Sequence, residues 1–327
     1  LREVSASLKL PISLVEREII FYDTLEAMCT YTPSPVMLKG GTLISRLYSE
    51  QPRFSWDINF SAPLQAKPEY DLKAMKRRMV AAGRVAEIRL DTQRIKLGEV
   101  KRDVEKDMFE DPLSLKRDML TWSLGAPLPT YLRGLDWNTR ALRRELLQLK
   151  QRIGCLPSVD AVRATVSLRT QIFKTKRRIP SLLDPVLPPR RKAVARVCPP
   201  ELCVMEKLSR LSKGVEEIGT RDLLCDFYDL GQLLRLELGE ETLTEIYRRM
   251  YVSRKLPSPL LLRRKLAENL SIVKRSLDAF EKRREFVWCR YRWKSYFSET
   301  VRKIKRVLRY VEMMRDVEGL GDARNRV

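Results

Sequence analysis

Two kinds of hydrophobic periodicity mark the first part of the chain. Over residues 12–31, apolar residues recur every three or four positions, which predicts an amphipathic helix. Over residues 54–61, apolar and polar residues alternate without exception, which predicts a β-strand. The apolar face of that strand would carry Phe54, Trp56, Ile58 and Phe60, and the polar face Ser55, Asp57, Asn59 and Ser61. Between these elements we predict a short buried strand in VMLK, a turn at Gly40-Gly41 and a short helix over residues 42–49.

The remaining pattern divides at about residue 126. Before it, we predict a helix over residues 69–82 and a hairpin of two strands, 84–90 and 93–100. After it, helical spacing is seen in TRALRRELLQLKQRI, and residues 156–178 are predicted as another helix. A proline-rich stretch, IPSLLDPVLPPRRK, then predicts a connector without long regular structure. Further helices are predicted at 200–213, 219–238, 242–253 with a Thr242/Glu245 capping box, 258–297 and 298–316.

This order of elements predicts an α+β fold. A mixed-sheet core would occupy residues 1–125, a basic and partly helical insertion or connector residues 126–197, and an α-helical domain residues 198–327. The predicted antiparallel hairpin makes a plain doubly wound nucleotide-binding fold less favoured.

Composition narrows the chemistry. The chain has 327 residues, of which 44% are hydrophobic and 32% charged, typical of a folded and highly charged protein. It contains no run of 18 uncharged apolar residues and no apolar leader, so we expect a cytoplasmic protein without a membrane partner. Histidine is absent, which excludes mechanisms built on an imidazole. The six cysteines form no CxxC pair and are interpreted as incidental or buried thiols.

The net charge of +22 is unevenly placed. Residues 131–200 hold 16 Lys/Arg against 4 Asp/Glu, and residues 271–310 hold 13 against 4. Concentrated positive charge of this kind favours a surface that binds a polyanion over a generally solvated surface.

The segment KGGTLISRLYSEQPRFSWDINFS combines features of a nucleotide site. Glycine backbone N–H groups can approach a phosphate closely, and a following helix N-terminus adds partial positive charge. Thr42 adds a hydroxyl donor. Asp57 and Asn59, two apart on a strand, project from one face and are candidate ligands for Mg²⁺ (or Mn²⁺) beside a nucleoside triphosphate.

This segment resembles the signature of the AbiEii/MenT-type nucleotidyltransferase toxins, a branch of the polymerase-β-like nucleotidyltransferases. Lys39, Gly40, Gly41 and Thr42 match its first element, and Arg53, Phe54, Ser55, Asp57 and Ile58 its second. Asn59 departs from the pattern, which has a second aspartate there. VMEKLSRL and RDLLCDFYDLGQLL resemble two later elements of the family and contain Lys207, Asp226, Tyr228 and Asp229.

The resemblance implies an enzyme that transfers a nucleoside monophosphate from an NTP to an RNA acceptor, tRNA for some relatives, in a toxin–antitoxin setting. It implies nucleotide contacts by Lys39, Gly40, Gly41, Thr42 and Ser55, and a catalytic set of Asp57, Lys207, Asp226 and Asp229. Lys207 would hold the triphosphate or stabilise developing charge, and Asp226 or Asp229 would position the nucleotide or the lysine. Which of the two aspartates is the catalytic acid stays open.

A third metal-binding acid is usual in such sites. Glu99, at the end of the predicted hairpin, is the candidate, with a bulge at Gly98 to re-aim it, and Asp103 is the alternative.

RNA contact is predicted where basic and aromatic residues interleave, because basic groups bind phosphate and aromatic rings stack on unpaired bases. The strongest stretch is KRREFVWCRYRWKSYF, and FKTKRR and PPRRK are weaker ones. The candidate residues are Arg177, Arg178, Arg190, Arg191, Arg284, Arg290, Arg292, Trp288 and Trp293.

Two further hypotheses remain beside the transferase. The first is a catalytically impaired relative that binds RNA, because Asn59 removes a full charge from the metal site. The two basic segments are also compatible with a component of a ribonucleoprotein.

Overall fold

The computed structural model describes residues 2–31, 37–55, 57–62, 81, 119–124, 162–168, 175–189, 191–213, 215–252, 256–276, 286, 289 and 293–317. The chain divides into two compact units. The first comprises Leu1–Thr42 and Trp56–Val197, and the second Leu43–Ser55 and Cys198–Val327. The predicted helices 69–82 and 139–153 and the predicted hairpin lie outside the described residues, apart from residue 81, which is helical.

The first unit is built on a mixed sheet. Its helices are α1 (Arg2–Leu8), α2 (Ile12–Tyr31) and the start of α3 (Gly40–Leu43). Its described strands are β1 (Met37–Lys39), β2 (Asp57–Ala62), β3 (Met119–Leu124), β4 (Val162–Leu168), β5 (Lys176–Ile179) and β6 (Ala193–Val197). They lie in the order β3-β4-β2-β1-β6-β5, with parallel pairs β2–β4 and β1–β6 and antiparallel pairs elsewhere.

The sheet has one closed and one open face. Residues that pair across neighbouring strands project from the same face, so the register assigns the side chains of β1, β2, β5 and β6. The closed face carries the buried residues Leu38, Ile58, Phe60, Ile179, Ala193, Ala195 and Val197, and the exposed Arg177 at its edge. The open face carries Asp57, Asn59, Lys176, Arg178, Val194 and Arg196, together with Met37, Lys39 and Ser61, which are buried. The alternation predicted for β2 is therefore confirmed over residues 57–60, although the strand begins at Asp57 and not at residue 54.

Helix α2 covers the closed face. The Tyr22 hydroxyl donates a hydrogen bond to the Ile179 carbonyl (2.8 Å) and accepts one from the Ala193 backbone N–H (3.1 Å). Glu18, also fully buried, accepts from the Leu182 N–H at 3.1 Å. These polar contacts satisfy backbone groups at the β5–β6 end of the sheet that would otherwise be buried without partners.

The second unit is helical. It contains a π-helical turn (Ile44–Tyr48), α4 (Pro200–Leu211), α5 (Val215–Ile218), α6 (Thr220–Leu233), α7 (Glu240–Val252), α8 (Pro259–Arg275) and α9 (Trp293–Val317). The predicted α+β class, with a mixed-sheet N-terminal part and a mostly helical C-terminal part, is confirmed.

Three predicted features are wrong. Residues 156–178 are not a helix, because 162–168 and 176–179 are strands, and with 193–197 they place the basic segment in the sheet of the first unit. Thr242 does not cap a helix, since α7 begins at Glu240. The helix predicted over 258–297 ends at Arg275, and α9 begins at Trp293.

In the part of the chain that the structure describes, none of the helices is both long enough and apolar enough to span a bilayer.

An aromatic core holds α6 against α9. Tyr228, Phe286, Trp293, Tyr296 and Phe297 pack with ring centroids 5.0–6.2 Å apart. The Tyr296 hydroxyl donates to the Tyr228 carbonyl at 2.6 Å. Gly231 permits this close approach, because a Cβ at that position would lie 2.3 Å from the Tyr296 hydroxyl oxygen. Glycine is required here for space.

We expect Gly231→Ala to lower the free energy of unfolding by about 1–3 kcal/mol, the usual range for overpacking a well-packed core. Chemical denaturation followed by circular dichroism measures it. Gly239→Ala is the control, since its Cβ would meet the exposed Thr242 side chain at 3.2 Å and the end of the Glu201 side chain at 3.8 Å, without a contact under 3.0 Å. Equal losses in the two variants would contradict the packing role of Gly231.

Candidate active site

The Gly-Gly turn lies against the polar strand. Gly40 has a left-handed backbone (φ 75°), and a Cβ there would lie 2.9 Å from the Asn59 side-chain nitrogen. Both the backbone conformation and the lack of space therefore require glycine. In the sheet register Lys39 pairs with Asn59, so the turn leaves β1 directly beside the candidate metal ligands of β2.

The hydroxyl of Thr42 makes a different contact from the one that the sequence predicts. The sequence predicts a hydroxyl donor for a phosphate, but Thr42 is fully buried and its hydroxyl donates to the backbone carbonyl of Asp57. This bond ties the first turn of α3 to the start of β2. Thr42 is thus a positioning residue for the strand that carries Asp57 and Asn59.

Asp57 and Asn59 both lie on the open face of the sheet. Asp57 is exposed and Asn59 half-buried, on either side of the fully buried Ile58. A carboxylate and an amide oxygen at this spacing suit Mg²⁺, which is bound by one or two protein oxygens together with substrate phosphates. The two residues therefore fit a metal–nucleotide complex, as partial ligands.

Among the described residues, the neighbouring strand does not add a third acid to this pair. In the register of the neighbouring strand β4, Asp57 pairs with Arg163 and Asn59 with Thr165. Within the described ranges there is no group of three His, Cys, Asp or Glu residues able to hold a metal ion. Glu99 and its alternative Asp103 lie outside those ranges, so both stay predictions.

A second set of site residues surrounds Lys207, in the second unit. The Lys207 ammonium on α4 donates to Asp226 Oδ1 at 2.6 Å and to Asp229 Oδ2 at 2.7 Å, both on α6. All three side chains are buried. Asp226 and Asp229 are three residues apart, and so are Lys207 and Arg210, which places each pair on one side of its helix.

Two arginines complete this network. Arg53 binds Asp229 with both Nε and Nη2, at 2.7 and 2.8 Å, in a bidentate pair. Arg210 donates from Nε to Asp226 Oδ2 at 2.6 Å and from Nη2 to the exposed Asp222 at 3.1 Å. We call Arg53, Lys207, Arg210, Asp226 and Asp229 the lysine network.

The network sets the charge of its members. Burial alone would lower the pKa of Lys207, but the charges of Asp226 and Asp229 outweigh it and raise that pKa. Burial alone would raise the pKa of Asp229, but the charges and hydrogen bonds of Arg53 and Lys207 hold it below its ordinary value. Lys207 is therefore a permanent ammonium, with two of its three N–H groups directed at carboxylates.

The contacts of Asp226 and Asp229 bear on which of the two is the catalytic acid. Both carboxylates bind Lys207, and each also binds an arginine. Asp226 and Asp229 are thus groups that position the lysine. The sequence reasoning did not assign site roles to Arg53 and Arg210. The signal available for Arg210 was its spacing from Lys207, which matches the spacing of the two aspartates.

The remaining predicted site residues lie in several different elements of the fold. Ser55 is buried in the second unit. Arg177 and Arg178 are exposed on β5, on opposite sides of the sheet, and Arg191 is exposed before β6. Trp293 is only 6% exposed and packs in the aromatic core, so the prediction that it stacks on a base is wrong for this residue. Four arginines and one tryptophan of the predicted RNA set lie outside the described residues: Arg190, Arg284, Arg290, Arg292 and Trp288.

Comparison with known proteins bears on the Gly40–Asn59 arrangement. Residues 30–126 match the model of a family described as nucleotidyl transferase AbiEii toxin, type IV toxin–antitoxin system. The predicted resemblance to the AbiEii family is confirmed for this segment. The AbiEii segment contains the Gly-Gly turn, Arg53, Asp57 and Asn59, whereas Lys207, Asp226 and Asp229 lie beyond it.

Among solved structures, the nucleotidyltransferase toxin MenT4 from Mycobacterium tuberculosis H37Rv is similar over 97% of this chain and 96% of its own. The sequence identity is 14% and the TM-score 0.45. No curated protein matches the chain.

The lysine network predicts an acid-sensitive fold. Asp229 has a depressed pKa when folded, so its contribution is present above its unfolded pKa of about 3.9 and is lost as pH falls through the folded value. We expect the free energy of unfolding to fall below about pH 4 and Asp229→Asn to flatten that fall. At pH 7 this variant should be less stable by about 3–5 kcal/mol, because Arg53 and Lys207 lose their shared partner.

The matched control is Asp222→Asn. This variant removes an exposed carboxylate of the same helix, one that binds Arg210 of the lysine network. Its loss should stay below about 1 kcal/mol. The free energy of unfolding of both variants is measured by denaturation from pH 3 to 8. Equal losses of stability in the two variants would show that Asp229 contributes no more than an exposed carboxylate.

Proposed function

We propose that the protein is a nucleotidyltransferase that transfers a nucleoside monophosphate from an NTP to an RNA acceptor, with tRNA as the first candidate. The single observation that carries the proposal lies within the AbiEii segment. The Gly40 turn packs against Asn59, and Asp57 and Asn59 face outward from the open side of the sheet.

The transfer itself requires little covalent work by the protein. An acceptor hydroxyl oxygen forms a bond to the α-phosphorus, the bond to the β-phosphate breaks, pyrophosphate leaves and the hydroxyl proton passes to solvent. Catalysis of such a step is mainly positioning and charge stabilisation. A bound Mg²⁺ would supply charge neutralisation and orientation of the phosphates.

The chain's own residues have separate tasks in this proposal. Asp57 and Asn59 would hold the metal through oxygen atoms, and Gly40 keeps the turn close to them. Lys207, in the second unit, is an ammonium suited to stabilise negative charge on phosphate. Asp226, Asp229, Arg53 and Arg210 do not contact the nucleotide in this account, since their polar groups are engaged with one another and with Lys207.

The family description supports a biological setting for the proposal. It names AbiEii as a nucleotidyl transferase toxin of a type IV toxin–antitoxin system, in which a toxin is countered by an antitoxin. We extend this setting to the present chain as part of the proposal.

One observation favours a second candidate. Asn59 supplies an amide oxygen where the family pattern has a carboxylate, and the described residues supply no third acid. A site with one carboxylate would bind Mg²⁺ weakly. A catalytically impaired relative that still binds RNA is therefore the alternative.

A labelling assay separates the two candidates. Protein is incubated with each α-³²P-labelled NTP, Mg²⁺ and total tRNA, and the RNA is resolved by electrophoresis. We expect label transfer by the wild type and a loss of at least about 100-fold in Asp57→Asn, the scale on which metal-site partners act. If the folded wild type labels no RNA with any NTP and yet retains tRNA, the impaired candidate replaces the transferase.

Asn59→Asp tests the metal assignment directly. The added carboxylate should lower the Mg²⁺ concentration that gives half-maximal transfer, because a full charge replaces a dipole. Unchanged Mg²⁺ dependence and unchanged turnover would show that Asn59 is not a metal ligand.

A further inference from the structure

The sheet face that carries the candidate metal ligands also carries a pair of cations on its last two strands. From β2, the strand order leads through β1 and β6 to β5. Arg196 of β6 pairs with Lys176 of β5, and its neighbour in register on β1 is Met37, which is buried together with Lys39 and Ser61 of the same face. With strands about 4.8 Å apart, β5 lies roughly 14 Å from β2.

The pair Lys176–Arg196 is unfavourable for the fold. The two cations lie directly opposite each other on antiparallel strands, an arrangement that destabilises a sheet. Among the described residues neither forms a salt bridge with a carboxylate, whereas neighbouring Arg178 binds Asp184 at 3.0 Å. Lys176 is exposed and Arg196 half-buried, so both charges are accessible to an anion.

We propose that the Lys176–Arg196 pair binds the phosphate backbone of the acceptor RNA, as a single strand whose reacting end lies at Asp57 and Asn59. The inference rests on the proposed function and adds the path of the acceptor. A basic surface that follows a backbone is the general means of holding single-stranded nucleic acid. An anion between Lys176 and Arg196 would relieve their mutual repulsion, which accounts for two like charges in register.

The register supplies a matched control. Arg177 lies between Lys176 and Arg178 on β5 and is equally exposed, but it pairs with Ala195 and so belongs to the opposite face. Removing Arg177 subtracts the same charge from the same strand without touching the open face. A general electrostatic effect predicts equal results for the two positions, whereas a defined RNA path does not.

The experiment compares Lys176→Ala, Arg196→Ala and Arg177→Ala in the full chain. Binding of a fluorescein-labelled single-stranded RNA is measured by anisotropy over a range of salt concentrations, and transfer kinetics are measured with total tRNA. We expect Lys176→Ala and Arg196→Ala to weaken RNA binding and to raise KM for tRNA about tenfold, with kcat and KM for NTP unchanged. Each should also reduce the slope of log K against log salt by about 0.7, while Arg177→Ala behaves as wild type.

A stability readout excludes a merely structural role. Lys176→Ala and Arg196→Ala should melt at the wild-type temperature or above, because each removes a like-charge pair. Weakened RNA binding together with a lower melting temperature would overturn the inference, and so would equal RNA effects from Arg177→Ala. Unchanged RNA binding with loss of an acidic protein partner would also overturn it and assign the surface to that protein.

The outcome is separable from that of the proposed function. If the wild type transfers no nucleotide but RNA binding still depends on Lys176 and Arg196 and not on Arg177, the enzyme proposal fails and the RNA path stands. If transfer occurs and neither variant affects RNA, the path fails and the enzyme proposal stands.

Discussion

The ammonium of Lys207, held between Asp226 and Asp229, is the interaction around which the lysine network of the helical unit is built. Three buried charges in contact are stable only when each is paired and hydrogen-bonded. Arg53 and Arg210 provide the remaining donors, so every carboxylate oxygen of the two aspartates accepts a hydrogen bond. The arrangement fixes the position of the Lys207 ammonium, and the two carboxylates raise its pKa.

The lysine network also explains the position of Arg53. This residue lies in the segment between the π-helical turn and β2, and its guanidinium reaches Asp229 on α6. Tyr228 adds a hydrogen bond from its hydroxyl to the Gln51 carbonyl, and Ser49 one to Gln232. Helix α6 therefore fixes the conformation of the segment that precedes β2.

The sheet separates the hydrophobic core of the first unit from the polar side chains of β2. Strand alternation places Ile58 and Phe60 on the closed face and Asp57 and Asn59 on the open face. Gly40 allows the chain to turn tightly beside Asn59, and Thr42 ties that turn to the backbone of Asp57. Local constraints thus position the candidate ligands.

Features set by residues close together in the sequence could be predicted, whereas features set by contacts between distant segments could not. Helix α2, the alternation in β2 and α4 follow from local periodicity, and the sequence predicts each of them correctly or within a few residues. The helix predicted over 156–178 is wrong because VRATVSL also alternates at a spacing of two, and its pairing with β2 decides the matter. The partners of Lys207 and the buried hydroxyl of Thr42 arise from packing between distant segments, which periodicity does not contain.

The most direct test of the central claim is a double-mutant cycle on nucleotide transfer with Lys207→Met and Asp229→Asn. If Asp229 acts only by positioning Lys207, the double variant should lose no more kcat than Lys207→Met alone. Losses that multiply in the double variant would contradict the account, because they would give Asp229 a role in the reaction independent of the lysine.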